Sequence, residues 1–300
     1  MNRAFIPSPD VTGFAVGPFT IRFYAVFIIA GIVIAVWLTS RRLRRRGAPA
    51  GVVVDVALWA VPAGIVGGRL YHVLTHPADY FYEGADLWRV LYVWEGGLAI
   101  FGAILAGSVA AWLVCRRAGI RFLSFADALV PGLLIAQAIG RWGNYVNQEL
   151  FGAPTTLPWG LQIDPANHAF PPGLPPDTLF HPLFLYEMLW NLAGAAAILL
   201  IERRVSLRWG KALGAYLIVY GTGRAWLEAL RLDPTGLLLW GVKVNLLMAA
   251  LIAVAGVALI VVQSRRHPEP EPSPYLPGRA PTPGATVPGA PIDVREGAPG

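Results

Sequence analysis

The residues best suited to chemistry are two arginines set in apolar surroundings, each with polar companions at helical spacing. Arg224 and Glu228 are four residues apart, and Tyr220 and Arg231 continue the same helical face. Gln137, Arg141, Asn144 and Gln148 recur at three- and four-residue spacing and form a second such face. A guanidinium meets phosphate oxygens through a planar fork of N–H donors, so two inward arginines suit an anionic group such as phosphate. The alternative for Arg224 and Glu228 is an intrahelical ion pair that ties a bundle together and meets no ligand. Further ionisable residues in apolar runs are Asp55, Arg69, Glu95, Asp127, Glu187 and Lys243. Asp55, Asp127 and Lys243 fall close to the ends of their runs, where a side chain reaches the interface by snorkelling. A charge at a bilayer centre costs about 2.5–3.5 kcal/mol on insertion scales, so the remaining charges must pair or line a polar cavity.

The elements that would position these groups are read from composition and periodicity. Hydrophobic residues make up 55% of the chain and charged residues 14%, against roughly 25% charged in soluble domains. Seven apolar stretches are long enough to span a bilayer: Phe19–Ser40, Val52–Val73, Tyr92–Cys115, Phe122–Tyr145, Leu183–Ile201, Ala212–Leu230 and Leu237–Gln263. The expected fold is all-α, a polytopic membrane helix bundle of about seven transmembrane helices with a small external cap. Basic residues cluster after alternate stretches: Arg41, Arg42, Arg44, Arg45 and Arg46; Arg116, Arg117 and Arg121; Arg203, Arg204, Arg208 and Lys211; Arg265 and Arg266. The opposite loops hold only Arg89 and Arg231, so the N-terminus is expected outside and the C-terminus inside. The formal charge of +6 thus belongs to membrane anchoring, and nucleic acid is excluded as a partner.

The membrane domain is expected over residues 1–267, with the Pro- and Gly-rich loop 146–182 as its external cap. Residues 268–300, dominated by Pro, Gly, Glu and Ala, are expected to form a disordered cytoplasmic tail. No cleavable signal peptide is expected, since the first apolar run is long and is followed by a basic cluster. The single cysteine, Cys115, permits no internal disulfide and reads as packing. No metal-ligand motif and no cofactor motif is present in the sequence, so no metal and no cofactor is expected.

At the outer end of the fourth stretch the chain reads Gly140-Arg141-Trp142-Gly143-Asn144-Tyr145-Val146-Asn147-Gln148-Glu149-Leu150-Phe151-Gly152. This resembles the signature of prolipoprotein diacylglyceryl transferases, G-R-x-G-N-F-x-N-x-E-x-x-G, with Tyr145 where Phe is usual. Other segments resemble the family in the same order: Gly17-Pro18 leading to Ile21-Arg22-Phe23-Tyr24, Gly67-Gly68-Arg69-Leu70, His181-Pro182 with Tyr186-Glu187, and Tyr220-Gly221-Thr222-Gly223-Arg224 with Glu228 and Arg231. One position departs from it. Many members carry a histidine where this chain has Phe101, within Trp94-Glu95-Gly96-Gly97-Leu98-Ala99-Ile100-Phe101-Gly102. Glu95 is the substitute candidate for a proton acceptor, against an ordinary interface charge.

The resemblance implies a transferase of the bacterial cytoplasmic (inner) membrane. Its donor would be phosphatidylglycerol and its acceptor the lipobox cysteine of a prolipoprotein. The product would be a thioether-linked diacylglyceryl cysteine, with glycerol phosphate released, as the first step of lipoprotein maturation. Carried onto this sequence, Arg141, Arg224, Tyr220 and Glu228 would be catalytic. Arg141, Asn144, Asn147, Glu149, Gly152, Tyr24 and Arg231 would bind substrate. Two readings of other classes remain at this point, a transporter and a non-catalytic scaffold with an anion-binding polar cavity. A transporter would need an aqueous path to both faces, which the apolar inner halves of the fourth and sixth stretches oppose.

Overall fold

The computed structural model describes residues 4–232, 238–239 and 241–280. Among them are seven α-helices: α1 (Phe23–Arg45), α2 (Val52–Thr75), α3 (Ile100–Arg117), α4 (Phe122–Val146), α5 (Leu183–Glu202), α6 (Lys211–Leu230) and α7 (Val244–Arg266). Three antiparallel two-stranded pairs accompany them: β1 (Gly13–Val16) with β2 (Phe19–Arg22), β3 (Leu161–Gln162) with β4 (Leu179–Phe180), and β5 (Leu238–Leu239) with β6 (Val242–Lys243). Six of the helices are long and apolar enough to cross a membrane; α6, which carries Lys211, Arg224 and Glu228, is not among those six. Large apolar side chains on the helix surfaces are exposed, with Trp59 at 64%, Leu105 at 67% and Val254 at 64%. In water such faces would be buried; a lipid solvent accepts them. The chain is a multi-pass membrane helix bundle, as its composition led us to expect.

Three of the expected spans start later than hydropathy alone places them. Phe19–Arg22 belongs to a hairpin with Gly13–Val16, and α1 begins only at Phe23. Residues 92–99 form no α-helix, because Gly96 and Gly97 adopt φ of 89° and 68°, which ends the 3-10 turn at Val93–Glu95. Glu95 therefore sits in a loop. The last helix begins at Val244, after a hairpin that turns at Gly241, and Lys243 is a strand residue at its foot. Leu237, where that span was expected to begin, lies outside the described residues.

The chain divides into two compact units, residues 1–43 with 123–272, and residues 44–122 with 273–300. In the first, α1 meets α4 along small residues: a Cβ on Gly31 would lie 3.1 Å from the Ala136 carbonyl oxygen, and one on Gly132 equally near the Ala35 backbone. Arg42, expected only as an anchoring charge, is an interior tie. Its Nη2 meets both oxygens of Glu202 at 2.7 and 2.8 Å, and its Nε donates to the Ala128 carbonyl at 3.0 Å. Asp127, expected to snorkel, is instead fully buried and caps α6. Its carboxylate accepts from the backbone N–H of Gly210 at 2.7 Å and of Leu213 at 3.0 Å. A carboxylate at a helix N-terminus satisfies orphan amides and offsets the helix dipole, so burial there is supported. The cap has its own apolar core of Phe151, Leu161, Ile163, Phe180 and Phe184, to which the N-terminal segment adds Ile6 through two backbone bonds of 2.9 Å. In the second unit α2 and α3 touch along a glycine seam, where a Cβ on Gly67 would lie 2.6 Å from the Gly102 carbonyl oxygen.

Over residues 268–280 the expected disordered tail carries specific bonds. In the first unit, Glu271 is 2% exposed; its side chain accepts from Ser124 Oγ, and its carbonyl accepts from Arg208 Nη1 at 2.7 Å. His267 stacks on Trp209 with ring centroids 3.9 Å apart. In the second unit, the Pro274 and Ser273 carbonyls each accept from Arg121 at 2.8 Å, and the Tyr275 hydroxyl donates to the Gly47 carbonyl at 3.2 Å. Composition misses this because the segment is held through its own carbonyls and two side chains, with no apolar periodicity. Residues 281–300 lie outside the described residues. A chain ending at His267 should therefore unfold more readily in detergent than one ending at Ala280. The expected difference is on the order of 2–3 kcal/mol, the worth of one or two charge-assisted hydrogen bonds. Equal melting of the two would mean that residues 268–280 contribute nothing.

Candidate functional site

The polar face of α4 is continued beyond its end by a reversal of the chain. Arg141 and Asn144, three residues apart, share a face, and Arg141 Nη1 donates to Asn144 Oδ1 at 3.1 Å. The helix stops at Val146, and Gln148 and Leu150 take φ of 53° and 55°, a costly conformation for residues with a Cβ. That turn folds Glu149 back, so its Oε1 accepts from Asn144 Nδ2 at 2.9 Å and from Asn147 Nδ2 at 3.4 Å. Gln148 holds the turn from outside: its Nε2 donates to the Pro9 carbonyl at 3.2 Å and its Oε1 accepts from the Asp164 N–H at 2.7 Å. Helical periodicity had put Gln148 on the arginine face; the left-handed turn takes it off that face and makes it a structural residue.

Glu187 on α5 completes the cluster, with Oε2 2.5 Å from Arg141 Nη2. The Arg141 and Glu187 side chains are 29% and 12% exposed, so the pair is neither solvated nor sealed. Sequence reasoning noticed Glu187 as an in-span acid but did not place it in the site. The signal was there, in a charge that had to find a partner, but the partner could not be read off one helix.

On α6, Arg224 Nη2 lies 3.0 Å from Glu228 Oε2, the ion pair that four-residue spacing anticipates. Glu228 is 2% exposed, and its Oε1 accepts from Asn245 Nδ2 of α7 at 3.1 Å. Asn245, a lone amide at the start of an apolar run, gave no signal in the sequence. The two arginine clusters are joined through backbone. Gly152 bridges to Arg231, and the Ala153 N–H donates to the Leu230 carbonyl at 2.9 Å. Gly152 is required there, since a Cβ would lie 2.7 Å from His181 Cβ and 2.8 Å from the Leu230 oxygen. Gly143 likewise makes room for the Tyr24 ring, which a Cβ would strike. Tyr220 stacks on Tyr216 at 5.9 Å, and the Tyr216 hydroxyl accepts from Gln137 Nε2 at 2.9 Å.

The structure thus brings Arg141, Asn144, Asn147 and Glu149 into one network and pairs Arg224 with Glu228. Phe101 and Glu95 belong to the other unit. Phe101 lies on the surface of α3 against Tyr71, with centroids 6.2 Å apart. Glu95 forms an exposed ion pair with Arg89 at 3.2 Å, and the hydrogen bond between them raises the Arg89 pKa. Arg69, buried in that unit, spends its guanidinium on carbonyls, with Val90 at 2.8 Å and Gly96 at 2.6 Å. Among the described residues no three His, Cys, Asp or Glu side chains converge on one point. Chemically, the first unit presents two partly exposed arginine side chains, each paired with a carboxylate, with an amide side chain bonded to Arg141 in one pair and to Glu228 in the other. That arrangement is suited to receiving an anion.

A model of the prolipoprotein diacylglyceryl transferase family matches residues 12–262. The phosphatidylglycerol–prolipoprotein diacylglyceryl transferase of Leifsonia xyli subsp. xyli is 56% identical over 268 residues, covering 87% of this chain and 80% of its own. A Streptomyces coelicolor protein described as phosphatidylglycerol–prolipoprotein diacylglyceryl transferase 2 is 50% identical, covering 89% of this chain and 84% of its own. The enzyme of that description from Frankia alni is also 50% identical, over 91% of this chain and 71% of its own.

The bonding of Glu149 yields a graded expectation. Glu149→Gln keeps a carbonyl acceptor for Asn144 and should cost under about 1 kcal/mol, whereas Glu149→Leu strands two amide donors and should cost about 2–3 kcal/mol. Thermal unfolding of the two variants in one detergent measures the order; equal losses would mean that the carboxylate does not organise the asparagines.

Proposed function

Because the chain belongs to the prolipoprotein diacylglyceryl transferase family, we propose that Arg141 and Arg224 act directly on the phosphate of its donor, phosphatidylglycerol. The enzyme transfers the diacylglyceryl group of that lipid to the lipobox cysteine of a prolipoprotein in the bacterial inner membrane. The substrate sulfur, as thiolate, attacks the glyceryl carbon that bears the phosphate. The C–S bond forms, the C–O bond to phosphate breaks, and glycerol phosphate departs with the electron pair. The phosphate passes from one negative charge toward two, so groups that meet the added charge stabilise the transition state over the ground state.

The observation that carries this reading is the state of the two arginines: guanidinium groups on helices of 25 and 20 residues, each paired with one carboxylate among the described residues and with about 30% of the side chain accessible. Arg141 commits Nη1 to Asn144 and Nη2 to Glu187, and Arg224 commits Nη2 to Glu228. A guanidinium has five N–H donors, so each fork retains capacity for phosphate oxygens. Asn144 and Asn147, held by Glu149, orient the glycerol headgroup, with Tyr24, Tyr220 and Arg231 at its margins and Gly152 allowing close backbone approach. Guanidinium N–H donors left uncommitted can also meet the substrate sulfur as it ionises, which favours the thiolate of a group whose ordinary pKa is about 8.5. Phe101 has no proton to exchange, so the thiol proton passes to water or to the departing glycerol phosphate and not to an imidazole at that position.

Arg141→Lys keeps the charge but loses the fork, and Arg224→Ala loses both. Each should lower transfer by about 10²–10³. The assay is transfer of labelled diacylglyceryl from phosphatidylglycerol to a lipobox peptide, normalised to folded enzyme in nanodiscs. Near-wild-type turnover in both variants would sink the phosphate clamp. We further place the N-terminus outside and the C-terminus in the cytoplasm, on the asymmetry of basic loops. A reporter fused at Arg117 should then read cytoplasm and one within residues 154–178 the outer side; the reverse pair of signals overturns the orientation.

A further inference from the structure

The helix α6 shows a seven-residue stripe, Gly214, Gly221 and Glu228, whose first two members touch α7 backbone to backbone. A Cβ on Gly214 would lie 2.8 Å from the Gly256 carbonyl oxygen, and one on Gly221 would lie 2.5 Å from the Ala249 oxygen and 2.8 Å from the Ala253 nitrogen. The contacts descend α7 as they ascend α6, so the helices run antiparallel in close register. The third member, Glu228, continues the stripe and meets Asn245 at 3.1 Å. Its carboxylate is thus met from two sides, Oε1 by a hydrogen bond from the α7 amide and Oε2 by the ion pair with Arg224 at 3.0 Å.

We infer that Asn245 is a positioning residue for the transfer reaction, one that fixes the Glu228 carboxylate so that Arg224 presents its fork to the lipid phosphate. This rests on the reading that Arg224 acts on that phosphate. The physical case is one of rotamers. Glu228 is a long side chain near the end of α6, and an Arg–Glu pair on one helix has several ways to meet. A hydrogen bond to one oxygen from a separate, backbone-locked helix leaves the other oxygen in one place, and Arg224 then has one place to dock. The glycine seam supplies the rigidity that makes such aim possible, since neither helix can slide without a backbone clash. A merely structural amide would hold α7 to α6 and leave turnover per folded molecule alone.

The test compares Asn245→Leu, Asn245→Gln, Asn245→Asp, Glu228→Gln and the double variant Asn245→Leu/Glu228→Gln in nanodiscs. The readouts are kcat and KM for phosphatidylglycerol per folded enzyme. Asn245→Leu should lower kcat roughly 10- to 100-fold, the effect of removing a hydrogen bond to a charged group. KM should move by no more than about twofold, as expected when the lost aim matters chiefly in the transition state. Asn245→Gln, which keeps the amide donor, should recover most of kcat, and Asn245→Asp, which sets like charge against Glu228, should not. The double variant should be no slower than Glu228→Gln alone within about twofold, since both lesions cut one path. Wild-type kcat in Asn245→Leu, or fully additive losses in the double variant, would overturn the inference. If Asn245→Leu does not fold, the comparison of Asn245→Gln with Asn245→Asp decides, and equal kcat in those two overturns it. Arg224→Ala run in parallel separates the premises: if it is unimpaired, the phosphate reading fails; if it is impaired while Asn245→Leu is normal, only the present inference fails.

Discussion

A charge inside a bilayer has to be met by another group of the protein, and most of the first unit follows from that constraint. Glu228 is 2% exposed and Asp127 is fully buried, in a medium where an uncompensated carboxylate is strongly disfavoured. Each has found compensation that reaches another element. Glu228 takes Arg224 on its own helix and Asn245 on α7. Asp127 takes the amides at the start of α6. Arg141 takes Glu187 on α5, and Arg42 takes Glu202 near the end of the same helix. Because each partner lies at a set place along a helix, satisfying the charges also fixes how far α1, α4, α5, α6 and α7 can slide. In lipid there is no hydrophobic drive between helices to do this, so polar ties and close packing must supply specificity.

Close packing is the second half of that arrangement, and glycine provides it. The α6–α7 contact through Gly214, Gly221 and Gly256 brings backbones so near that a methyl group at any of the three would collide. At that separation the short side chain of Asn245 reaches Glu228, at 3.1 Å. Gly143 similarly admits the Tyr24 ring to the face of α4 two residues beyond Arg141. The glycines that surround the arginines thus position them by what they omit.

The sequence made legible whatever depends on one element at a time. Helical spacing gave the Arg224–Glu228 pair, and the thirteen-residue motif from Gly140 to Gly152 marked the family and singled out Asn144, Asn147 and Glu149, though not the bonds among them. What escaped was set between elements or by backbone geometry. The Arg141–Glu187 contact spans two helices. Asp127 reads as an end-of-helix charge until α6 is placed above it. Gln148 leaves the arginine face because a non-glycine residue takes φ of 53°, which no periodicity anticipates. The start of the third span failed for a related reason: hydropathy runs straight through Gly96-Gly97, while their positive φ values do not. The order of residues 268–280 was missed because most of their anchors are carbonyls, which every composition contains, joined by only the Glu271 and Tyr275 side chains.

If Arg141 and Arg224 meet the donor phosphate as proposed, the pairing of each with a carboxylate bears on how the same groups can both stabilise a membrane fold and bind an anion. A bare guanidinium would be costly to bury and would hold any anion tightly, product included. One balanced by a carboxylate is nearly neutral as a unit, so it is tolerable in an apolar helix and exerts only a modest field on a singly charged phosphodiester. As the C–O bond breaks and the phosphate gains charge, the attraction grows, while the carboxylate remains where its own tethers hold it. The tethers therefore decide how the energy is used. If Glu228 could swing to follow Arg224, the pair would relax around the ground state and the gain on going to the transition state would shrink. Held by Asn245 across a glycine seam, the pair is oriented before the reaction begins, and the reorganisation that water would require is avoided. On this view the site depends on the rigidity of the α6–α7 contact, which makes a structural feature of two packed helices part of the chemistry.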